Sequence, residues 1–282
     1  MNSKKKHYLT CEDYTVSNKK FDLLYNEEFD MLETFPQPKG EELASYYESS
    51  DYISHTDSQK SFTDKLYQII KSIALKNKLK LLNSFKTEEK NVLDIGCGTG
   101  DFLLTCKNGG WNVAGVEPNK NARNLAETKL YSRIFEDIDN LSSEQFDVIT
   151  LWHVLEHVPN LEGYISRLKV LLKPNGILIV AVPNFKSYDA NHYAQFWAAF
   201  DVPRHLWHFS RKSIQKLFSK HQLKIDKMLP MKFDSFYVSL LSEKYKTGKS
   251  NFIKAFLVGL TSNVKANATK EFSSLIYVLK NG

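Results

Sequence analysis

The sequence predicts an α/β protein: a doubly wound, mostly parallel seven-stranded sheet preceded by an irregular, helical amino-terminal extension. From Asn91 onward, short β-branched runs alternate with helical ones, the pattern of βαβ units and a parallel sheet. The first run, NVLDI, enters a glycine-rich bend that opens directly into a helix, an arrangement open α/β sheets use to bind ligands. Composition agrees, since 42% apolar and 25% charged residues over 282 positions describe an ordinary packed protein.

The chain divides near residue 60. Residues 1–60 are rich in aromatic and acidic side chains, contain the rigid Pro36-Gln37-Pro38 and show no long period, so an irregular extension with short helices is expected. The domain proper is expected over 61–282. It opens with a helix over 61–82, where Phe62, Leu66, Ile69, Ile70, Ile73 and Ala74 recur at three- and four-residue spacing. Strands are expected at 91–96, 112–117, 132–136, 146–151 and 176–182, with a last pair near 223–229 and 272–279. Between 185 and 210 lies an aromatic, His-rich insertion too long for an ordinary connection.

Charge and cysteine content narrow the class. The formal charge of +6, from 38 basic and 32 acidic residues, permits nucleic acid as a partner without implying it. Lys4, Lys5 and Lys6 are followed by no apolar run, so they read as a solvated terminus and not a secretory signal. The longest apolar candidate, 252–264, is interrupted by Lys254 and falls short of the roughly 20 residues a bilayer requires, so no membrane span is expected. Cys11, Cys97 and Cys106 lack CxxC spacing, which argues against a disulfide framework or a zinc site and for a reducing, cytoplasmic setting.

The bend itself, NVLDIGCGTGDFLLTC, carries Gly96, Gly98 and Gly100. A ligand can lie against bare backbone there, with the amides of the following helix behind it. About 20 residues beyond the first glycine, Glu117 closes the second strand, where a carboxylate can accept hydrogen bonds from both hydroxyls of a ribose. The spacing is GxGxG, whereas a dinucleotide loop needs GxGxxG so that helix amides reach a pyrophosphate.

These residues carry a family resemblance. VLDIGCGTGDFL resembles motif I of the class I S-adenosylmethionine (SAM)-dependent methyltransferases, GVEP their acidic motif after it, FDVITLWHVLEHV their fourth-strand motif, and LLKPNGILIVAVPN the approach to strand five. The resemblance covers residues 92–184 in family order and implies a Rossmann-like fold, SAM as methyl donor and S-adenosylhomocysteine (SAH) as product. It implies that Asp94 and the loop Gly96, Cys97, Gly98, Thr99 and Gly100 surround the methionine part, with Glu117 and Pro118 at the ribose. Asp137 and Ile138 would read the adenine edge, unless a shift of register gives that role to Glu136 or Asp139, and Leu151 and Trp152 would lie beside the cofactor.

Methyl transfer requires alignment and, for a hydroxyl or amine acceptor, removal of a proton, a task suited to histidine. His153, Glu156 and His157 stand at the end of the fourth strand; as the start of a helix they would share adjoining faces, giving a base oriented by a carboxylate or a weak metal site. Some quinone-pathway O-methyltransferases resemble this stretch but carry an acid where His153 stands, so no metal is expected; Glu156 and His157 would otherwise brace the loop. The insertion FWAAFDVPRHLWHFSRKSIQKLF resembles the PRHLxHFS segment of a bacterial, UbiG-like (Methyltransf_23) branch, many of whose members serve glycan and cell-surface biosynthesis. There Arg204 offers a fork for a carboxylate or phosphate, His205 and His208 offer a base or a ligand, and Trp197, Phe200 and Trp207 wall an acceptor pocket; the competing reading is aromatic glue followed by a helix capped at Ser210.

Residues 36–49 resemble a segment that follows a zinc ribbon in related methyltransferases, yet only Cys11 of the ribbon's ligands is present. Tyr46, Tyr47, Tyr52 and His55 would form a lid or pack on the sheet edge. The expected acceptor is a small or sugar-like molecule in glycan, cell-surface or secondary-metabolite synthesis. A nucleic-acid methyltransferase, which would want an NPPY-type tetrapeptide absent here, and a non-catalytic SAM-binding protein are the competing classes; monomer and homodimer both remain open.

Overall fold

The computed structural model describes residues 5–47, 62–142 and 144–282. Its main sheet has six strands in the order β5-β4-β6-β7-β10-β9. β4 (Asn91–Ile95) pairs in parallel with β5 (Asn112–Val116) and β6 (Phe146–Trp152), and β6 pairs in parallel with β7 (Leu172–Pro183). β10 (Ser274–Asn281) is antiparallel to both β7 and β9 (Leu223–Pro230). Leu93, Ile149, Leu178 and Val180 have no exposed surface, as central parallel strands covered on both faces require.

Helices cover this sheet. α2 (Phe62–Asn83) packs through Leu75, Leu79 and Leu82 against Phe102 and Trp111, whereas Ile73, expected on the buried face, is exposed. α3 (Asp101–Asn108), α4 (Lys120–Leu130) and α5 (Leu161–Leu171) follow β4, β5 and β6. α7 (Arg211–Lys220) begins at the predicted cap, the Ser210 side chain accepting from Ser213 N at 3.0 Å.

The seventh strand expected at 132–136 is reduced to one bridge, Phe135 to Val116. Its neighbours are committed elsewhere: Ile134 N donates to the Glu127 carboxylate, and Asp137 caps a 3₁₀ turn over Ile138–Asn140. Phe135 keeps the strand's place through Phe135 N to Gly115 O at 2.9 Å and Glu117 N to Phe135 O at 2.8 Å.

The amino-terminal extension is a second correction. It is not irregular and helical but a meander of β1 (Lys5–Glu12), β2 (Lys20–Asn26) and β3 (Met31–Phe35), followed by the short helix α1 (Glu41–Ser45). Phe21 and Leu23 are buried on one side of β2, a period of two over too few residues to stand out among polar neighbours. This sheet is completed by β8 (Trp207–His208) from the insertion, giving the order β1-β2-β3-β8. The insertion is therefore structured, with α6 (Tyr188–Tyr193) and two 3₁₀ turns ahead of β8. α8 (Asp234–Thr247) and α9 (Phe252–Thr269) form a hairpin between β9 and β10.

Asp189 on α6 joins these parts. Fully buried, it accepts from Trp197 Nε1 at 2.8 Å, Ser262 Oγ on α9 at 2.6 Å and Ser273 Oγ beside β10 at 2.6 Å. Asp189→Ala leaves three buried donors without an acceptor at roughly 1 kcal/mol each or more. The expected cost is about 3 kcal/mol, a fall of roughly 6 °C or more in Tm by thermal denaturation; a fall of less than about 2 °C would mean that these donors find other partners.

Candidate functional site

The bend after β4 folds back onto β5. Gly96 N and Cys97 N both donate to Val116 O, at 2.8 and 3.0 Å. Gly96 has φ +67°, and a Cβ there would lie 2.5 Å from Val154 Cγ2, so the turn excludes any side chain. At Gly98, φ +55°, a Cβ would meet nothing within 4 Å, so the backbone faces open space. Gly98 N donates to Glu117 Oε2 at 2.8 Å, and Asn119 N donates to Glu117 Oε1 at 2.9 Å.

Burial raises the Glu117 pKa against the pull of those two amides and Arg123. Arg123 braces the turn by donating to the carbonyls of Glu117 and Pro118, the latter exposed. Asp94, at the end of β4, accepts from Thr150 Oγ1 at 2.6 Å; burial pushes its pKa up to about 7 despite Thr150 and Lys78. Cys97 is buried and Thr99 Oγ1 lies 3.5 Å from Asp101, while Gly100 caps α3. Of the proposed adenine readers, Ile138 is buried and Asp137 exposed, its carboxylate accepting from Asp139 N. Leu151 is wholly buried, and Trp152 packs edge-on against Phe102 beneath Lys78, whose Nζ lies 4.2 Å from its ring.

The segment after β6 does not begin a helix. His153 has φ +57° and its N–H extends the ladder to Ala181 O; a 3₁₀ turn over Leu155–His157 follows. The two histidines therefore look in different directions. His153 Nε2 lies 3.1 Å from Asp234 Oδ2 on α8, and its Nδ1 3.3 Å from Glu156 Oε1. Burial disfavours its charge, but the two carboxylates prevail and raise its pKa to about 10. Glu156 is buried and held below the usual carboxylate range, because His153, His205 and His157 outweigh desolvation.

His157 Nδ1 lies 3.1 Å from Arg204 O and 2.9 Å from Tyr47 Oη. A carbonyl only accepts, so Nδ1 carries the proton and the second ring nitrogen is left for another partner. Burial and His205 lower the His157 pKa to about 4, so the ring is neutral at pH 7. His205 Nδ1 donates to Ala199 O at 2.9 Å, again leaving its second nitrogen, and the two rings stand edge-to-face at 4.6 Å. One ligand atom from each of Glu156, His157 and His205 lies within 4.8 Å of the others, the one set among the described residues that could hold a metal ion. Sequence spacing does not group His205 with Glu156 and His157, because it comes from a distant segment.

Other insertion residues are occupied internally. The Arg204 guanidinium forks onto Asp201, with Nε to Oδ2 at 3.0 Å, and lies 4.0 Å from buried Asp13, so its donors face protein acids. His208 Nε2 lies 3.0 Å from Thr34 Oγ1, whose proton goes to His205 O at 2.6 Å. His208 thus donates, and burial lowers its pKa far below the ordinary value. Trp197 and Phe200 are buried and line a small cavity together with Asp201 and Tyr245, and Trp207 Nε1 donates to Val158 O. Tyr46 is buried against Phe21, and Tyr47 reaches the site; Tyr52 and His55 lie outside the described residues. Asp234 and Lys78 join the site without local signals, one at the start of a late helix and the other among lysines spaced along α2.

Residues 64–227 match a family described as methyltransferase domain (Methyltransf_23). Curated relatives include ubiquinone biosynthesis O-methyltransferases of Rhodopseudomonas palustris, 34% identical over 36% of this chain and 44% of the relative, and of Actinobacillus pleuropneumoniae, 37% identical over 34% and 46%. The match thus spans less than half the length of these relatives. Similar folds occur in the cyclopropane synthase MmaA2 of Mycobacterium tuberculosis (TM-score 0.56, 16% identity, 87% of this chain and 99% of that one). The magnesium protoporphyrin IX methyltransferase of Synechocystis PCC 6803 with bound SAH is also similar (TM-score 0.57, 15% identity, 86% and 100%). The family match runs from α2 into β9, across every parallel strand and the bend between β4 and α3, and the chain belongs to this family of methyltransferase domains.

Proposed function

We propose that the chain transfers a methyl group from SAM to a small hydroxyl-bearing acceptor, releasing SAH. The observation that carries this is the open face at Gly98 beside the Glu117 carboxylate. Each Glu117 oxygen holds one backbone amide and keeps a lone pair for a ribose hydroxyl. Asp94 and the Gly96–Gly100 bend flank the methionine part, with Asp137 and Ile138 at the adenine edge. When bound, SAM supplies an electrophilic methyl group on a positively charged sulfur, and Glu117 and Glu156 offer the opposite charge. Trp152 Nε1, at the end of β6, is buried with no hydrogen-bond partner among the described residues.

The proton leaving the acceptor is assigned to the Glu156, His157 and His205 cluster. His157 is neutral with Nδ1 anchored, as a base requires. His153, charged between Asp234 and Glu156, orients the carboxylate instead of taking a proton. A second reading puts a divalent cation in the cluster, polarising the acceptor oxygen. It is favoured by two rings whose Nδ1 atoms face backbone carbonyls and by a buried carboxylate that has the charged His153 Nδ1 3.3 Å from one oxygen. The relatives' names support oxygen as the methylated atom; a sugar-like or other glycan, cell-surface or secondary-metabolite acceptor rests on the PRHLWHFS segment.

Glu117→Ala should weaken SAH in calorimetry by about 2 kcal/mol, roughly thirtyfold; because the change also frees the Gly98 and Asn119 amides, a modest fall in Tm is expected, and a cooperative melting curve shows that the variant is folded. Wild-type protein that binds neither SAM nor SAH would overturn the assignment. His157→Ala and His205→Ala should each lower kcat by roughly 10²-fold or more on an acceptor found among nucleotide sugars, quinols and RNA, with SAH affinity unchanged; loss of activity on chelation, restored by a divalent ion, would select the cation reading. Because the folded His153 pKa is raised, its stabilisation is complete below about 6.5 and is lost as pH rises through about 10. His153→Gln should therefore melt below wild type near pH 6.5, and the gap should close toward pH 10; a constant gap would show that His153 is uncharged.

A further inference from the structure

The α8–α9 hairpin has an apolar face with no covering element among the described residues. α9 buries Ala255, Val258, Gly259, Ser262 and Ala266, and turns Phe252, Ile253, Phe256, Leu257, Leu260 and Val264 outward. The least exposed of these six is Leu260 at 43% and the most exposed Ile253 at 77%, far beyond the scattered apolar residues of an ordinary surface. Phe233 and Tyr237 on or beside α8 are also more than half exposed.

Charge identifies the occupant. Residues 234–270 contain six lysines and two acids, Asp234 and Glu243, a net +4 in a chain of +6. Glu243 is buried and paired with Lys254 Nζ at 3.0 Å, whereas Lys244, Lys246, Lys249 and Lys270, on or beside the same two helices, are exposed, as is Lys265, whose Nζ lies over the Tyr188 ring. We propose that this hairpin seats the protein on an anionic lipid surface, the α9 face entering the headgroup boundary and the lysines meeting lipid phosphates. An apolar face with a lysine rim is the composition that binds this way. α9 lies along the surface, since no helix among the described residues is long and apolar enough to cross a membrane. A second copy suits the patch less well, because a two-fold contact sets it against itself and opposes the two lysine rims. The hairpin starts at the candidate site, where Asp234 contacts His153 at 3.1 Å, so a seated protein holds that site close to the bilayer.

The test is co-sedimentation of the full chain with phosphatidylcholine vesicles and with phosphatidylcholine–phosphatidylglycerol vesicles. Binding is expected on the second, falling about tenfold or more when salt is raised from about 0.1 to 0.5 M. Ile253→Asp with Phe256→Asp should weaken it at least about tenfold, and Lys246→Glu with Lys249→Glu should remove the phosphatidylglycerol preference, with SAH binding and melting curves as controls. Absence of binding to either vesicle, or equal binding by both double variants, overturns the proposal. So does a stable dimer in light scattering that Ile253→Asp with Phe256→Asp dissociates, because a second copy then covers the patch.

Discussion

Glu117 follows β5 directly, with its side chain turned toward the bend that leaves β4, and the Gly98 N–H whose hydrogen bond it accepts fixes where that bend can lie. Gly96 N and Cys97 N reach the same strand through Val116 O, so three successive amides are tied to one neighbour. The remaining face of the bend is open. Sheet order thereby decides the geometry of the proposed cofactor site: exchange of β5 with another neighbour would remove the carboxylate and the anchoring carbonyl together. The buried acids Asp94 and Glu117 both have raised pKa values, so the site is costly to ionise until something positively charged occupies it.

Three histidines illustrate how environment assigns different roles to one side chain. His153 lies between two carboxylates and is charged, His157 is neutral beside a backbone carbonyl and another ring, and His208 serves as a donor to Thr34 inside the protein. Sequence spacing groups the first two because it assumes a helix. The left-handed backbone at His153 breaks that geometry and sets Glu156 between the rings as the shared partner.

The parallel half of the sheet was legible because each of its strands is a short apolar run flanked by a helix, with periods that differ sharply. Gly96, Gly98 and Glu117 were legible because their spacing along the chain is dictated by one βαβ unit. Asp234 was not, as it meets His153 only after the chain has crossed β7 and β9. Arg204 was misjudged for a related reason: its fork suits any carboxylate, and nothing local distinguishes Asp201 and Asp13 from a ligand. The meander of β1 to β3 stayed hidden because polar residues interrupt its two-residue alternation, and the sheet that buries Leu32 is finished only by β8.

The pairing of β3 with β8 has a wider implication. Thr34 N and Gln37 Nε2 both bind Leu206 O, and Leu206 N in turn binds Glu156 O, so the first strands of the chain reach the β6 turn through two linked backbone groups. The leading meander and the 185–210 segment are one structural module split in the linear order of the chain. Grafting either half alone onto a homologous domain would present an unmatched strand edge, so chimeras that exchange this module must carry both pieces from the same parent.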